Sequence, residues 1–186
     1  MKKLVFLTVC LVAFAANGFS QRGYKGEQGV SSVGVIMGHA VSSKAFTIGA
    51  DYRYNVKDRI RLAPSVLYTM KNSGDISTIY ANADAHYLTR ITNEITIYPI
   101  GGLGVSMRKF ENYIGLDDID DIGDIEDLLG GKIKSETKTR VGLNLGFGGE
   151  TRVTKDIVVG AEFRYHLTTE RFYDQAMLLA RAAYYF

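Results

Sequence analysis

The sequence predicts an all-β protein: an eight-stranded antiparallel up-and-down transmembrane β-barrel with one long outer loop that has room for a short helix. Three observations carry this. Apolar and polar residues alternate with a period of two through eight stretches from Val30 onward. Within those stretches no Asp, Glu, Lys or Arg falls on the apolar parity. The connections between them alternate between short and longer. A soluble sandwich also alternates, but it tolerates stray charges near its edges. A membrane barrel places lipid outside and a polar lumen inside, and a Lys or Arg facing mid-bilayer lipid costs about 2–4 kcal/mol.

Residues 1–20 of the 186 read as a cleavable signal peptide. They carry Lys2 and Lys3, an apolar run from Leu4 to Ala16 too short to span a bilayer, and small residues Gly18 and Ser20 just before Gln21. Cleavage removes both lysines and lowers the formal charge from +2 to zero. A near-neutral mature chain gives no reason to expect nucleic acid as a partner. Cys10 is the only cysteine and leaves with the signal, which excludes a disulfide or a cysteine metal site in the mature protein. Residues 21–29 are expected to form a periplasmic N-terminal tail, and residues 30–186 the barrel.

The first strand, about Val30 to His39, is glycine-rich. In the second, Phe46, Ile48, Ala50, Tyr52 and Tyr54 oppose Thr47, Gly49, Asp51 and Arg53. In the third, Ile60, Leu62, Val66, Tyr68 and Met70 oppose Arg59, Arg61, Ser65, Thr69 and Lys71. The fourth sets Ile79, Ala81, Ala83, Ala85 and Tyr87 against Tyr80, Asn82, Asp84 and His86. Ile95, Ile97, Leu103, Val105 and Met107 share one side of the fifth, and Val141, Leu143, Leu145 and Phe147 one side of the sixth. The seventh is the clearest: Ile157, Val159, Ala161, Phe163, Tyr165 and Leu167 oppose a face carrying Glu162, Arg164 and His166. The eighth puts Leu178, Ala180, Ala182, Tyr184 and Phe186 opposite Leu179, Arg181 and Tyr185. Pro64 and Pro99 fall inside strands, where a missing N–H predicts a bulge or a strand end.

Short connections at about Val56–Asp58, Ile91–Asn93 and Val153–Lys155 are assigned to the periplasmic side. The longest connection, about Lys109 to Thr137, faces outward. Tyr54, Tyr87, Tyr184 and Phe186 mark one membrane interface, and Phe46, Tyr68 and Tyr165 the other. The ending itself is unusual, since termini are ordinarily polar and loose.

These features resemble the small eight-stranded outer-membrane β-barrel family of Gram-negative bacteria over about Val30 to Phe186. Such barrels end on a terminal Phe preceded by apolar residues at alternate positions, read by the outer-membrane assembly machinery. Leu178, Ala180, Ala182, Tyr184 and Phe186 match that ending. The resemblance implies residence in the cell outer membrane, with outer-membrane lipid and, during insertion, the barrel assembly machinery as partners.

The inward parity carries Asp51, Asp84, Glu150 and Glu162 with Arg53, Arg61, Arg140, Arg164, Arg181, His86 and His166. Eight strands leave an interior just wide enough for side chains, so the ordinary expectation is a self-satisfied charge network. A conducting lumen is the alternative. His166-Leu167-Thr168 faintly resembles the H-x-S of outer-membrane lipid A deacylases, with Thr in the place of Ser. His39, His86 and His166 are widely separated for metal ligands. The clusters GGLG (101–104) and GFGG (146–149) lack the Lys-Ser/Thr of a phosphate loop and are read as bending points covered by aromatics.

In the outer loop, Asp117, Asp118, Asp120, Asp121, Asp124, Glu126 and Asp127 crowd into eleven residues. A calcium loop from Asp118 fails, because Ile122 and Leu129 occupy ligand positions. Leu116, Ile119, Ile122, Ile125, Leu128 and Leu129 instead recur at helical spacing and stop at Gly130-Gly131. The expected function is therefore non-catalytic and needs no cofactor: an envelope-structural or surface-interaction role through the outer loops. A channel for small solutes is the alternative, and a lipid-modifying enzyme a lesser one.

Overall fold

The computed structural model describes residues 28–71, 76–92, 94–113, 134–170 and 173–186. Eight strands follow in chain order: β1 Ser31–Ala40, β2 Ala45–Lys57, β3 Ile60–Thr69, β4 Ile76–Tyr87 with a short continuation at Thr89–Arg90, β5 Ile95–Tyr113, β6 Lys134–Arg152, β7 Ile157–Thr168 and β8 Gln175–Tyr185. Each strand pairs antiparallel with the next, and β8 returns to β1, so the sheet closes and leaves no through-going edge. The seam runs from Ser32 opposite Tyr185 to Ala40 opposite Met177. Phe186 extends it: its N–H donates to the Ser31 carbonyl at 3.0 Å, and the Ser31 N–H returns a bond of 3.2 Å.

The two faces are inverted relative to a water-soluble protein. Leu103 is 59% exposed, Val141 62% and Phe147 59%, whereas Arg53 and Arg61 are each 1% exposed. That is the distribution an apolar solvent outside the sheet requires. The aromatic residues Phe46, Tyr52, Tyr54, Tyr68, Tyr184 and Phe186 all stand on the outer face.

Two of the short turns share one chemistry. The Thr92 hydroxyl accepts from the Ile95 N–H at 3.0 Å, and the Thr154 hydroxyl accepts from the Ile157 N–H at the same distance. The side chain thereby supplies the turn's missing acceptor.

The prolines behave differently from expectation. Pro64 sits opposite Ala83 in an unbroken β3–β4 ladder, and no register shift accompanies it. On its β2 side the recorded pairing lapses between Asp51/Ser65 and Tyr54/Leu62 and then resumes in the same register. The sheet absorbs the lost donor without a bulge. Pro99 pairs with Phe147 of β6, while β4 is interrupted on the Pro99 side at Leu88. The bulges lie elsewhere, at Asn55/Lys57 and Phe110/Tyr113.

The long outer connection is shorter than its sequence bounds suggested. β5 and β6 continue pairing through Lys109–Thr137 and Phe110–Glu136 to Tyr113–Lys134. The acidic residues Asp117 to Asp127 and the helix expected there lie outside the described residues, as does the signal sequence.

Several glycines also do something other than bend. A Cβ on Gly104 would stand 2.4 Å from Asn82 Oδ1 and 3.1 Å from His166 Cε1; one on Gly148 would stand 2.6 Å from the Tyr98 ring. These positions are recesses that make room for large side chains crossing the lumen.

Candidate functional site

The lumen is filled by groups that the alternating parity throws inward. Four guanidiniums, Arg53, Arg61, Arg164 and Arg181, meet four carboxylates, Asp51, Asp84, Glu150 and Glu162. Arg53 is the hub. It donates to Asp51 Oδ2 at 2.7 Å, to Tyr98 Oη at 3.0 Å, to Glu150 Oε2 at 3.2 Å and to Glu162. Arg61 grips Glu150 at 2.9 and 2.7 Å, donates to Asn55 Oδ1 at 2.9 Å and to Tyr185 Oη at 2.9 Å. Arg181 binds both oxygens of Asp51 at 2.9 and 2.7 Å and reaches Ser32 at 3.1 Å.

On the opposite flank Arg164 bridges Glu162 at 2.8 Å and Asp84 at 3.0 Å, and donates to Ser65 at 3.1 Å. Asn144 completes this end, donating to Asp84 at 2.7 Å and to Asn82 at 3.0 Å. His166 Nδ1 lies 2.7 Å from Asn144 Oδ1. Equal numbers of opposite charges, each in more than one bond, are what a low-dielectric interior demands, because an unpaired charge there is costly.

Toward the outer end an apolar layer of Ile36, Ala40, Leu67, Tyr80, Met177 and Leu179 fills the bore. Above it Tyr173 is wedged against Arg108 and Arg140, whose guanidinium carbons lie 4.8 and 5.2 Å from the ring centre. Toward the periplasmic end Leu88, Tyr98 and Ile100 cluster.

The structure thus brings Asp51, Arg53, Arg61, Asp84, Glu150, Glu162, Arg164 and Arg181 into one network. Two expected members stand apart. Arg140 lies at the outer rim, where it pairs with Glu170 at 3.1 Å, because β6 carries it above the charge layer. His86 is in the lumen but stacks on Tyr98, with centroids 4.7 Å apart, and neither ring nitrogen has a hydrogen-bond partner among the described residues. Sequence reasoning missed Tyr98, Asn55 and Arg108 as inward groups, although their parity was the available signal.

The His166-Thr168 pair is not arranged as a base and nucleophile. The Thr168 hydroxyl donates to the Glu170 carbonyl at 2.6 Å, while His166 is held by Asn144. No group of three or more His, Cys, Asp or Glu able to hold a metal occurs among the described residues.

Residues 4–186 match the profile described as the outer membrane protein beta-barrel domain. The chain belongs to this outer-membrane β-barrel family. Its place is therefore the cell outer membrane, with lipid against the apolar face. Among solved structures, the N-terminal β-barrel domain of Pseudomonas aeruginosa OprF aligns with a TM-score of 0.61 at 14% identity, over 86% of this chain and 98% of that one. Neisserial surface protein A aligns with a TM-score of 0.58 at 18% identity, over 83% and 94% of the two chains. Ail, the attachment invasion locus protein of Yersinia pestis, gives 0.53 at 18% identity, over 86% and 99%. At such identities the likeness is one of fold. No curated protein sequence matches the chain significantly.

Proposed function

We propose that this family member is a closed, non-catalytic barrel that serves as a rigid membrane scaffold and acts through its outer loops as a surface-interaction protein. The observation that carries this reading is the shielding of the lumen. Among the described residues, Arg53, Arg61, His86, Tyr80 and Tyr98 point into the bore and are each 1% exposed, which leaves no water-wide path past them. A solute channel needs polar side chains wetted along its length. A catalytic barrel needs a nucleophile bonded to its base, which His166 and Thr168 do not supply.

The names of two structurally similar barrels, an attachment protein and a surface protein, belong with the same use of this scaffold. The outer side of this chain also carries its least barrel-like sequence, the acidic stretch from Asp117 to Asp127. Leu178, Ala180, Ala182, Tyr184 and Phe186 would serve as the assembly signal during insertion.

Planar-bilayer recording on the refolded protein tests the reading. The expected result is no unitary conductance, together with loss of a surface phenotype such as attachment when residues 114–133 are replaced by a short Gly-Ser linker. Stable ion-conducting steps, or full attachment without the loop, would overturn it.

A further inference from the structure

We propose that the end of the barrel carrying the three short turns is sunk into its lipid leaflet, with a closed ring of apolar turn shoulders seated among acyl chains at the headgroup boundary. This goes beyond the outer-loop reading: it concerns the opposite end of the molecule and stands whether or not those loops bind a partner.

The ring begins as a repeat in the sequence. The three turns read VKDRI (56–60), ITNEI (91–95) and VTKDI (153–157): a β-branched aliphatic residue, a polar tip with a carboxylate, then Ile. Turns in water favour Gly, Pro, Asn, Asp and Ser. None of these three contains Gly or Pro, and their shoulders are aliphatic. The registers turn those shoulders outward. Thr89 pairs with Ile97 and the Ile91 N–H donates to the Ile95 carbonyl at 2.9 Å, so Ile91 and Ile95 continue the lipid-facing side of β4 and β5. Thr151 pairs with Val159 and the Val153 N–H donates to the Ile157 carbonyl at 2.9 Å, which does the same for β6 and β7. Ile91 is 58% exposed and Val153 61%; Ile60, Ile95 and Ile157 are exposed too, with Val56 half-buried. The fourth junction at this end is the β8–β1 seam, where Tyr184 and Phe186 stand on the outer face.

A single exposed aliphatic residue would carry no meaning. Four junctions around one rim, each with an outward apolar pair, call for an apolar medium that surrounds the barrel. A partner protein or a second copy would cover one sector only. The ring is also continuous with the apolar band that already faces lipid. The backbone is prepared for this place. The Thr92 hydroxyl accepts from the Glu94 N–H at 3.2 Å as well as from Ile95, and the Thr154 hydroxyl accepts from the Asp156 N–H at 3.4 Å as well as from Ile157. These N–H groups are thus satisfied without water, as a low-dielectric setting requires. Charge is confined to the tips, Lys57-Asp58, Glu94 and Lys155-Asp156, and to Arg59, which donates to the Tyr87 hydroxyl at 3.3 Å. Those groups reach the headgroups while the shoulders stay among the chains.

The test uses the full-length mature chain in phospholipid liposomes at two protein-to-lipid ratios. Residues 21–186 contain no cysteine, so I91C, V153C, K155C and L103C can each carry one bimane fluorophore. Quenching is read from iodide in the water and from a nitroxide placed on the lipid chain near the headgroup. The expected result is that iodide quenches the labels at 91 and 153 roughly tenfold less than the label at 155, and that the lipid nitroxide quenches both strongly. L103C, at mid-band, is the lipid-exposed reference, and unboiled gel mobility reports whether each variant folds. Iodide quenching at 91 or 153 equal to that at 155 would overturn the proposal. So would shielding at one turn without the other, which points to a partner on one sector, or shielding that appears only at the higher protein ratio, which points to a second copy. Solid-state NMR on the unsubstituted protein keeps the proposal open to refutation if a variant misfolds: the Ile91 and Val153 methyls should show cross-peaks to acyl methylenes, and cross-peaks to water alone would sink it.

Discussion

Replacing Arg164 with methionine destabilises this barrel more than replacing Arg53, although Arg53 touches more groups. Each carboxylate that Arg53 serves keeps a second cation: Asp51 retains Arg181, Glu150 retains Arg61 and Glu162 retains Arg164. Arg164 is different. It is the one guanidinium bonded to Asp84 among the described residues, and without it Asp84 keeps only the Asn144 amide, at 2.7 Å. Asp84 is 2% exposed, so its charge would be left buried and uncompensated. Removing one partner of a buried pair costs about 3–5 kcal/mol. R53M should lie near the lower bound and R164M near the upper, a difference of about 2 kcal/mol, or roughly thirtyfold in the folded-to-unfolded ratio. Because Asp84 carries the cost, D84N in the R164M background should recover most of it. The chain has no tryptophan, so denaturant unfolding in liposomes is best followed by circular dichroism and by the gel mobility of unboiled samples. Equal losses in the two single variants, or no recovery with D84N, would refute the reasoning.

Other substitutions probe the remaining features. A Cβ on Gly38 would come 2.0 Å from the Leu178 carbonyl across the closing seam, whereas nothing lies within 4 Å of one on Gly101. G38V should therefore lose the compact unboiled gel form while G101A keeps it. L103R places a cation on the lipid face and should cost about 2–4 kcal/mol in liposomes, with no such penalty for K109R above the apolar band. Deleting Phe186 removes two seam hydrogen bonds, so refolding into liposomes should be only modestly impaired; insertion in cells should fall far more if the ending is also read by the assembly machinery. Equal losses in both settings would reduce Phe186 to a structural residue.

The barrel was legible because its two solvents are so different. A single misplaced charge on the lipid face is expensive, so the parity from Phe46 to Tyr54 or from Ile157 to Leu167 is clean enough to read directly. Inward charges were legible for the same reason, but their partners were not. Parity gives the side of the sheet, while bonds such as Arg53 to Glu150 depend on stagger across the bore, which no local pattern encodes. Arg140 shows the limit: it shares the inward parity, yet height along the strand places it at the rim with Glu170. The prolines misled because a ladder can skip a donor and keep its register, as at Pro64. The glycines were read as hinges because vacancies such as Gly104 serve side chains from distant strands.

The bonds of Arg53 have one more implication. They run from β2 to β6 and β7, strands that face each other across the lumen and never lie side by side in the sheet. A hairpin, or a half-built sheet, can satisfy its backbone but cannot bring these charges together. Bonds within one strand, such as Arg53 to Asp51 and Arg164 to Glu162, can form earlier, but the bonds across the lumen form only when the circle of strands is complete, and until then each partial sheet carries exposed Arg and Glu on one face. Assembly should accordingly be all-or-none: the cross-lumen bonds withhold their stabilisation until β8 reaches β1, and so select against every arrangement that stops one strand short.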